Sequence, residues 1–225
     1  MNLFIGRLID KLRKADIYTL LVKGQGIAQC YERPLWRIVG DVDLLLNYES
    51  YNRSKTLLQP LSAYPIPERY YSKEIGLCIE GRIVELHGTQ RTGLSSRIDK
   101  VVDNVQRDVF NNRSVRLWIN NDIQVFIPSI DNDVFFVFTH FIKHFYKEGM
   151  NLRQVCDWCR LLWTYKDSLN HSLLKTRIKK AGLMAEWKSF AALSVNYLGM
   201  QEDAMPLYSP SVKWNKKSDN ILSHI

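Results

Sequence analysis

The sequence predicts an α/β (α+β) fold: a small mixed β-sheet with flanking helices, followed by a C-terminal helical bundle. Three observations predict it. Short apolar runs at residues 17–22 and 42–46 alternate with helical patterns. The period then changes to extended segments and hairpins between residues 69 and 127. From Ser129 onward the apolar residues keep helical spacing. The expected organisation is an α/β domain over residues 1–128, a helical domain over 129–200 and an irregular tail over 201–225.

The elements follow in order. Ile5, Leu8, Ile9 and Leu12 have helical spacing, in a first helix whose opening turn Gly6 weakens. Residues 17–22 are apolar and partly β-branched, a short buried strand. Gly24 and Gly26 break it and open a second helix at about 27–31, which Pro34 ends. Residues 42–46 are apolar on both faces beyond an acidic mouth, so this strand belongs in the middle of a sheet. A third helix spans 48–58 and stops at Pro60. Residues 69–79 and 82–87 are extended and joined by a tight turn at Glu80-Gly81. In the second of these, Ile83, Glu85 and His87 share one face, and Val84 and Leu86 the other. A second hairpin joins 115–119 to 123–127 through Asn120-Asn121-Asp122. Ser129 or Asp131 caps a helix running to about Lys147, where Gly149 stops it. Further helices cover 152–163, 169–181 and 184–198. The remainder is rich in Pro, Ser, Asn and Lys, hence the expected irregular tail.

Bulk properties narrow the function classes. The chain has 225 residues, 46% hydrophobic and 24% charged, which is globular rather than disordered material. A net charge of +8 and a pI near 9.3 favour anionic partners such as a nucleoside triphosphate, a nucleic acid or an acidic surface, or mark a generic basic surface. No run reaches the ~20 apolar residues of a membrane span. The amphipathic, charged start lacks a signal-peptide core. No membrane insertion and a cytoplasmic location are therefore expected. Four cysteines are too few for a disulfide framework at this length, and free thiols are expected.

Chemistry concentrates in three carboxylates. Asp41 and Asp43 stand one residue apart at the mouth of a very apolar strand, where period-2 geometry points both to one face. Like charges so close repel unless a cation lies between them, and a divalent metal held by hard oxygen ligands is the simplest relief. Glu85 sits inside the apolar strand Ile83-Val84-Glu85-Leu86, where a charge needs a partner. If the two strands are neighbours, the three acids converge. Such a cluster suits two magnesium ions about 3.5 to 4 Å apart, the arrangement used for in-line phosphoryl or nucleotidyl transfer.

The ordered set of Lys23-Gly24, Arg37, Gly40-Asp41-Val42-Asp43-Leu44-Leu45 and Glu85-Leu86-His87 resembles the polymerase-β-type nucleotidyltransferase superfamily. More closely it is similar to a bacterial branch described as uncharacterised nucleotidyltransferases, and the similarity extends over roughly residues 15–165. The resemblance implies a nucleotidyltransferase core that moves a nucleoside monophosphate from a triphosphate, ATP included, to an acceptor hydroxyl, with release of pyrophosphate and two Mg²⁺. Asp41 and Asp43 would hold both metals, and Glu85 would complete the site of the metal that activates the acceptor hydroxyl and take its proton. Gly24 and Gln25 would present helix-start N–H groups to the β- and γ-phosphates. Lys23 or Arg37 would neutralise the leaving pyrophosphate, and the resemblance places Arg37 near the site. Arg37 equally suits an ion pair that orients Asp41 or Asp43. The nucleotide is expected in a cleft between the α/β and helical parts. One departure stands out: the superfamily usually carries a small residue where this chain has Gln25, a bulkier side chain that is able to donate from its amide. The alternative is therefore a catalytically inactive module that binds a nucleotide or a protein. Metal-dependent phosphate hydrolysis is a third possibility. The acceptor is left open between a protein side chain, a sugar, a small molecule and a nucleic acid.

Other residues carry plainer explanations beside functional ones. Cys156 and Cys159 lie on an apolar helical stripe and read as core, although with His140 and His144 they number a zinc set. The two histidines flank a Phe-rich face, or touch the nucleotide. Arg153, Asp157 and Arg160 form a solvated charge ladder or a site contact. His87 is a substrate-side contact or a structural histidine. The runs at 175–180 (KTRIKK) and 213–217 (KWNKK) are solvated faces or nucleic-acid contacts.

Overall fold

The structure, a computed structural model, describes residues 1–38, 40–64 and 66–223. The first part of the chain runs α1 (Asn2–Lys14), β1 (Leu20–Val22), α2 (Gly24–Ala28), β2 (Val42–Leu45), α3 (Tyr48–Leu58), β3 (Glu74–Ile79), β4 (Arg82–His87), α4 (Ser96–Asn111), β5 (Val115–Asn120) and β6 (Ile123–Pro128). Five helices follow: α5 (Ile130–Lys147), α6 (Leu152–Thr164), α7 (His171–Ala181), α8 (Met184–Leu198) and α9 (Val212–Leu222). This is the α+β architecture that the sequence predicts.

Four strands form one mixed sheet in the order β1-β2-β4-β3, and β5 and β6 form a separate two-stranded ribbon. β2 is antiparallel to β1 and parallel to β4, while β3 is antiparallel to β4. β2 and β4 are therefore central, as the two-sided apolar pattern of residues 42–46 requires. Every residue of β2 is buried. Phe4, Ile5, Leu8, Ile9 and Leu12 of α1 pack into the same core as Leu44, Leu77, Val84 and Leu86 of the sheet. Both hairpins turn through paired left-handed residues, Glu80 (φ 50°) with Gly81 (φ 70°) and Asn121 (φ 46°) with Asp122 (φ 65°). That backbone twist matches the twist of the flanking strands.

Several elements depart from the sequence reading. The second helix is α2, which starts at Gly24 rather than at 27 and ends at Ala28. Lys23 (φ 57°) and Gly24 (φ 43°) turn the chain as soon as β1 ends. β3 begins at Glu74, not at 69, because Arg69 and Glu74 close a turn by exchanging backbone hydrogen bonds of 2.8 and 3.2 Å. α4 was not anticipated, although its buried Ile98, Val101, Val102, Val105 and Val109 have helical spacing. The tail from Gln201 is not irregular: it holds a 3-10 turn at Glu202–Ala204 and the helix α9.

The chain divides into two compact units, Met1–Arg91 with Val105–Ser129, and Thr92–Asn104 with Ile130–Ile225. The second has an aromatic core. The Phe138 ring lies 4.7 Å from Trp187, 5.1 Å from Phe141 and 5.6 Å from Trp158 between centroids. Trp187 Nε1 donates to the Pro206 carbonyl at 2.7 Å, which ties the chain after α8 back to that core. No helix among the described residues is long and apolar enough to cross a membrane.

Leu86 is fully buried in the central strand β4. Leu86→Ala should cost about 2–5 kcal/mol of unfolding free energy. Leu117→Ala, on the exposed side of β5, should stay within about 0.5 kcal/mol. Urea denaturation of the two variants beside the parent measures both.

Candidate active site

Three strand positions build the candidate site. In the sheet register Asp43 stands opposite Val22 on one side and opposite Glu85 on the other. Residues paired across a ladder share a face, so the Asp43 and Glu85 side chains project together. His87, two residues after Glu85, shares that face. Lys23 follows Val22 directly, so it leaves β1 beside Asp43. A Cβ built on Gly24 would lie 3.6 Å from the Asp41 carbonyl, which puts the Lys23-Gly24 turn against the chain entering β2.

The side chains make a compact charged network. Lys23 Nζ is 2.7 Å from Asp43 Oδ1, and His87 Nε2 is 2.8 Å from the same oxygen. His87 Nε2 also lies 3.4 Å from Glu85 Oε2. Asp43, Glu85 and His87 each offer one ligand atom, and those atoms lie within 4.8 Å of one another. Exposure is graded across the cluster. Side-chain exposure is 3% for Asp43, 7% for His87 and 14% for Lys23, rising to 29% for Glu85. The network is thus closed at Asp43 and opens to solvent at Glu85.

Protonation follows from this geometry. Burial disfavours the Asp43 carboxylate, but the Lys23 ammonium and the hydrogen bond and charge of His87 outweigh it and hold the carboxyl well below its ordinary range. Burial likewise opposes the charged forms of Lys23 and His87. For Lys23 it is overcome by Asp43, so that its ammonium is kept above its ordinary value. For His87, burial and Lys23 are both overcome by hydrogen bonds to Asp43 and Glu85, so the imidazole is raised. The His87 hydrogen bond lowers Glu85, against burial and the repulsion of Asp43. Asp41 behaves differently. Burial, then repulsion from Asp43 and Glu85, push its carboxyl up, and Lys23 only partly reverses this.

Of the residues singled out from the sequence, the structure brings Asp43, Glu85 and Lys23 together. Asp41 stands at the mouth of β2, half-buried and within electrostatic reach of them. Gly24 and Gln25 form the first turn of α2, and both are buried. Gln25 is 3% exposed, and its Oε1 has no hydrogen-bond partner among the described residues. Arg37 follows the 3-10 turn Pro34–Trp36 and donates to the Ile38 carbonyl at 3.4 Å. Asp43 is held by Lys23 together with His87. Sequence reasoning placed His87 on the Glu85 face without assigning it to the cluster; strand alternation was the signal available.

The remaining candidates separate. Among the described residues the potential metal-ligand group is Asp43, Glu85 and His87, not the Cys156, Cys159, His140 and His144 set. Burial pushes the Cys159 thiol up to about 12, which makes it an inert core group. His140 and His144 contact each other at 3.0 Å between Nε2 atoms, and His144 Nδ1 pairs with Glu148 at 2.8 Å. Asp157 is buried at 5% exposure, so the solvated ladder does not hold there.

The profile of the family described as uncharacterised nucleotidyltransferase matches residues 3–199, and the chain belongs to that family. No curated protein matches the chain. Among solved structures, the crystal structure of an antigenic nucleotidyltransferase-like protein from Paracoccidioides brasiliensis aligns with a TM-score of 0.50 at 14% identity, covering 93% of this chain and 94% of that one. At that identity the likeness shows the fold.

The His87 network has a pH signature in metal-free protein. A histidine raised above its ordinary 6.5 contributes stability that is fully present below that value and is lost as pH rises through the raised one. His87→Gln keeps an amide donor for Asp43 but carries no charge. The stability gap between parent and variant, read by denaturant unfolding with a chelator present, should be widest on the acid side and narrow as pH rises above about 6.5. A gap that does not change with pH overturns the assignment of a charged His87.

Proposed function

We propose that this member of the family transfers a nucleoside monophosphate from a nucleoside triphosphate to an acceptor hydroxyl and releases pyrophosphate. Magnesium ions would be held by Asp41, Asp43 and Glu85, with His87 beside them. The observation that carries this reading is the pairing of Asp43 with Glu85 on adjacent parallel strands, with Lys23 and the start of α2 alongside. The oxygen donors fit a hard divalent cation: the Asp43 and Glu85 carboxylates converge within 4.8 Å, and a third carboxylate, Asp41, feels their charge. When bound, such ions neutralise charge at the α-phosphate and acidify the acceptor hydroxyl.

The chain's own groups account for the rest. The acceptor oxygen bonds to the α-phosphorus while the bond to the bridging oxygen of the β-phosphate breaks, and pyrophosphate leaves with that electron pair. Glu85, the most open acid of the network, takes the hydroxyl proton. The first N–H groups of α2, at Gly24 and Gln25, have no acceptor within the helix and suit the β- and γ-phosphates. Lys23 keeps Asp43 ionised at rest and adds positive charge beside the leaving pyrophosphate, with Arg37 able to join it through a bidentate contact. Positioning and charge neutralisation supply most of the rate.

Two observations favour a second reading, an inactive nucleotide- or protein-binding module. Lys23 and His87 both occupy Asp43 Oδ1, so a bound cation has to compete with them. The buried Gln25 also stands where a small residue is usual. Pyrophosphate release with Mg²⁺ and a triphosphate, across protein, sugar, small-molecule and nucleic-acid acceptors, separates the two. Turnover without any acceptor would instead mark phosphate hydrolysis.

Asp41→Asn and Glu85→Gln should each lower turnover by at least about 10²-fold, with folding unchanged by circular dichroism. Normal Mg²⁺-dependent triphosphate binding and turnover in both variants would overturn the proposal. Asp43→Asn is the poorer probe, because it leaves the Lys23 ammonium buried beside an uncharged amide and destabilises the fold as well.

A further inference from the structure

We infer that the paired helices α8 and α9 carry a binding site for single-stranded nucleic acid, centred on the Trp214 indole and the ammonium groups of Lys188, Lys213 and Lys217. The Nζ atoms lie 4.8 Å (Lys213), 5.4 Å (Lys217) and 5.7 Å (Lys188) from the centroid of the indole ring. Two of the lysines come from α9 and one from α8, so tertiary packing, not one charge run, brings them to a single ring.

The arrangement is unfavourable in isolation. Lys213 and Lys217 stand at i and i+4, where like charges repel along a helix. Among the described residues none of the three ammonium groups has a carboxylate partner. Two acids of these helices bond tyrosines instead: Asp219 accepts from the Tyr197 hydroxyl at 2.6 Å, and Glu186 from the Tyr146 hydroxyl at 3.2 Å. Attraction to the π-face of Trp214 relieves part of the repulsion. A bound anion relieves the rest.

The ring decides which anion. Trp214 is half-buried and flanked by charge, and Tyr197, exposed at 48%, lies on the neighbouring helix. A flat aromatic group amid unneutralised lysines suits a strand in which an unpaired base takes over the ring face as the ammonium groups turn from it to the phosphates. An acidic peptide supplies charge without a base to stack. An anionic membrane surface calls for an apolar anchor, and beside Trp214 on α9 the exposed apolar residue is Val212 alone in its turn. The site stands independently of the proposed transfer chemistry, and its test needs no turnover.

The experiment is fluorescence anisotropy of the full chain with labelled oligothymidylate over a range of salt concentrations. Lys188→Gln, Lys213→Gln and Lys217→Gln combined should weaken binding at least about 10-fold and reduce the log–log salt slope by about 2. Lys11→Gln, Lys14→Gln and Lys100→Gln combined make the same change in net charge at exposed positions and should shift affinity by less than about 3-fold. Trp214→Leu should weaken binding about 10-fold with little change in slope, and Trp214→Phe, which keeps a ring, should restore most of it. Four results overturn the proposal: no binding, equal loss in both lysine triples, no difference between the Leu and Phe variants, or equally tight binding of heparin or phosphatidylserine vesicles through the same lysines.

Discussion

Asp43 is a carboxylate buried at the centre of a sheet, and it is ionised because Lys23 and His87 share one of its oxygens. A buried charge is tolerated only with such partners. That constraint fixes where neighbouring elements begin and end. β1 has to stop at Val22 so that the next side chain reaches back to Asp43. The chain then has to turn at once, and the left-handed Lys23 and Gly24 provide the turn. β4 has to lie on the other side of β2, in the one register that puts Glu85 opposite Asp43.

The register is held by apolar side chains. Leu44 pairs with Leu86 and Val42 with Val84, all fully or almost fully buried on the face opposite the acids. A slip of one residue would drive Glu85 and His87 into that core and carry Leu86 onto the acidic face. The parallel pairing of β2 with β4 needs a crossover, which α3 and β3 supply. β3 then covers the outer edge of β4. Polar chemistry on one face is thus positioned by hydrophobic pairing on the other.

The helical unit follows a different logic. Phe138, Phe141, Trp158, Trp187 and Phe190 contact one another in one aromatic cluster. That core buries Cys159 and sequesters it from redox or metal chemistry. α8 is shared between two tasks: Trp187 and Phe190 face the core, and Lys188 between them faces α9. A basic tail that looks merely soluble becomes a structured surface because α9 packs on α8.

The sequence by itself determined the fold class, the central place of residues 42–46, both hairpins and most helices, because apolar periodicity and turn residues are local signals. It also marked Asp43, Glu85 and Lys23, since charges bordering apolar strands are conspicuous. It did not reveal α4, whose helical valine pattern follows a stretch of Gly, Thr and Ser, nor α9, whose polar composition masks a helix that tertiary packing stabilises. The membership of the cluster was decided only by tertiary structure. Whether Glu85 meets Asp43, whether His87 joins them and whether Lys23 reaches Asp43 all depend on strand neighbours and register. Those are set by the pairing of residues some forty positions apart, which no local pattern encodes.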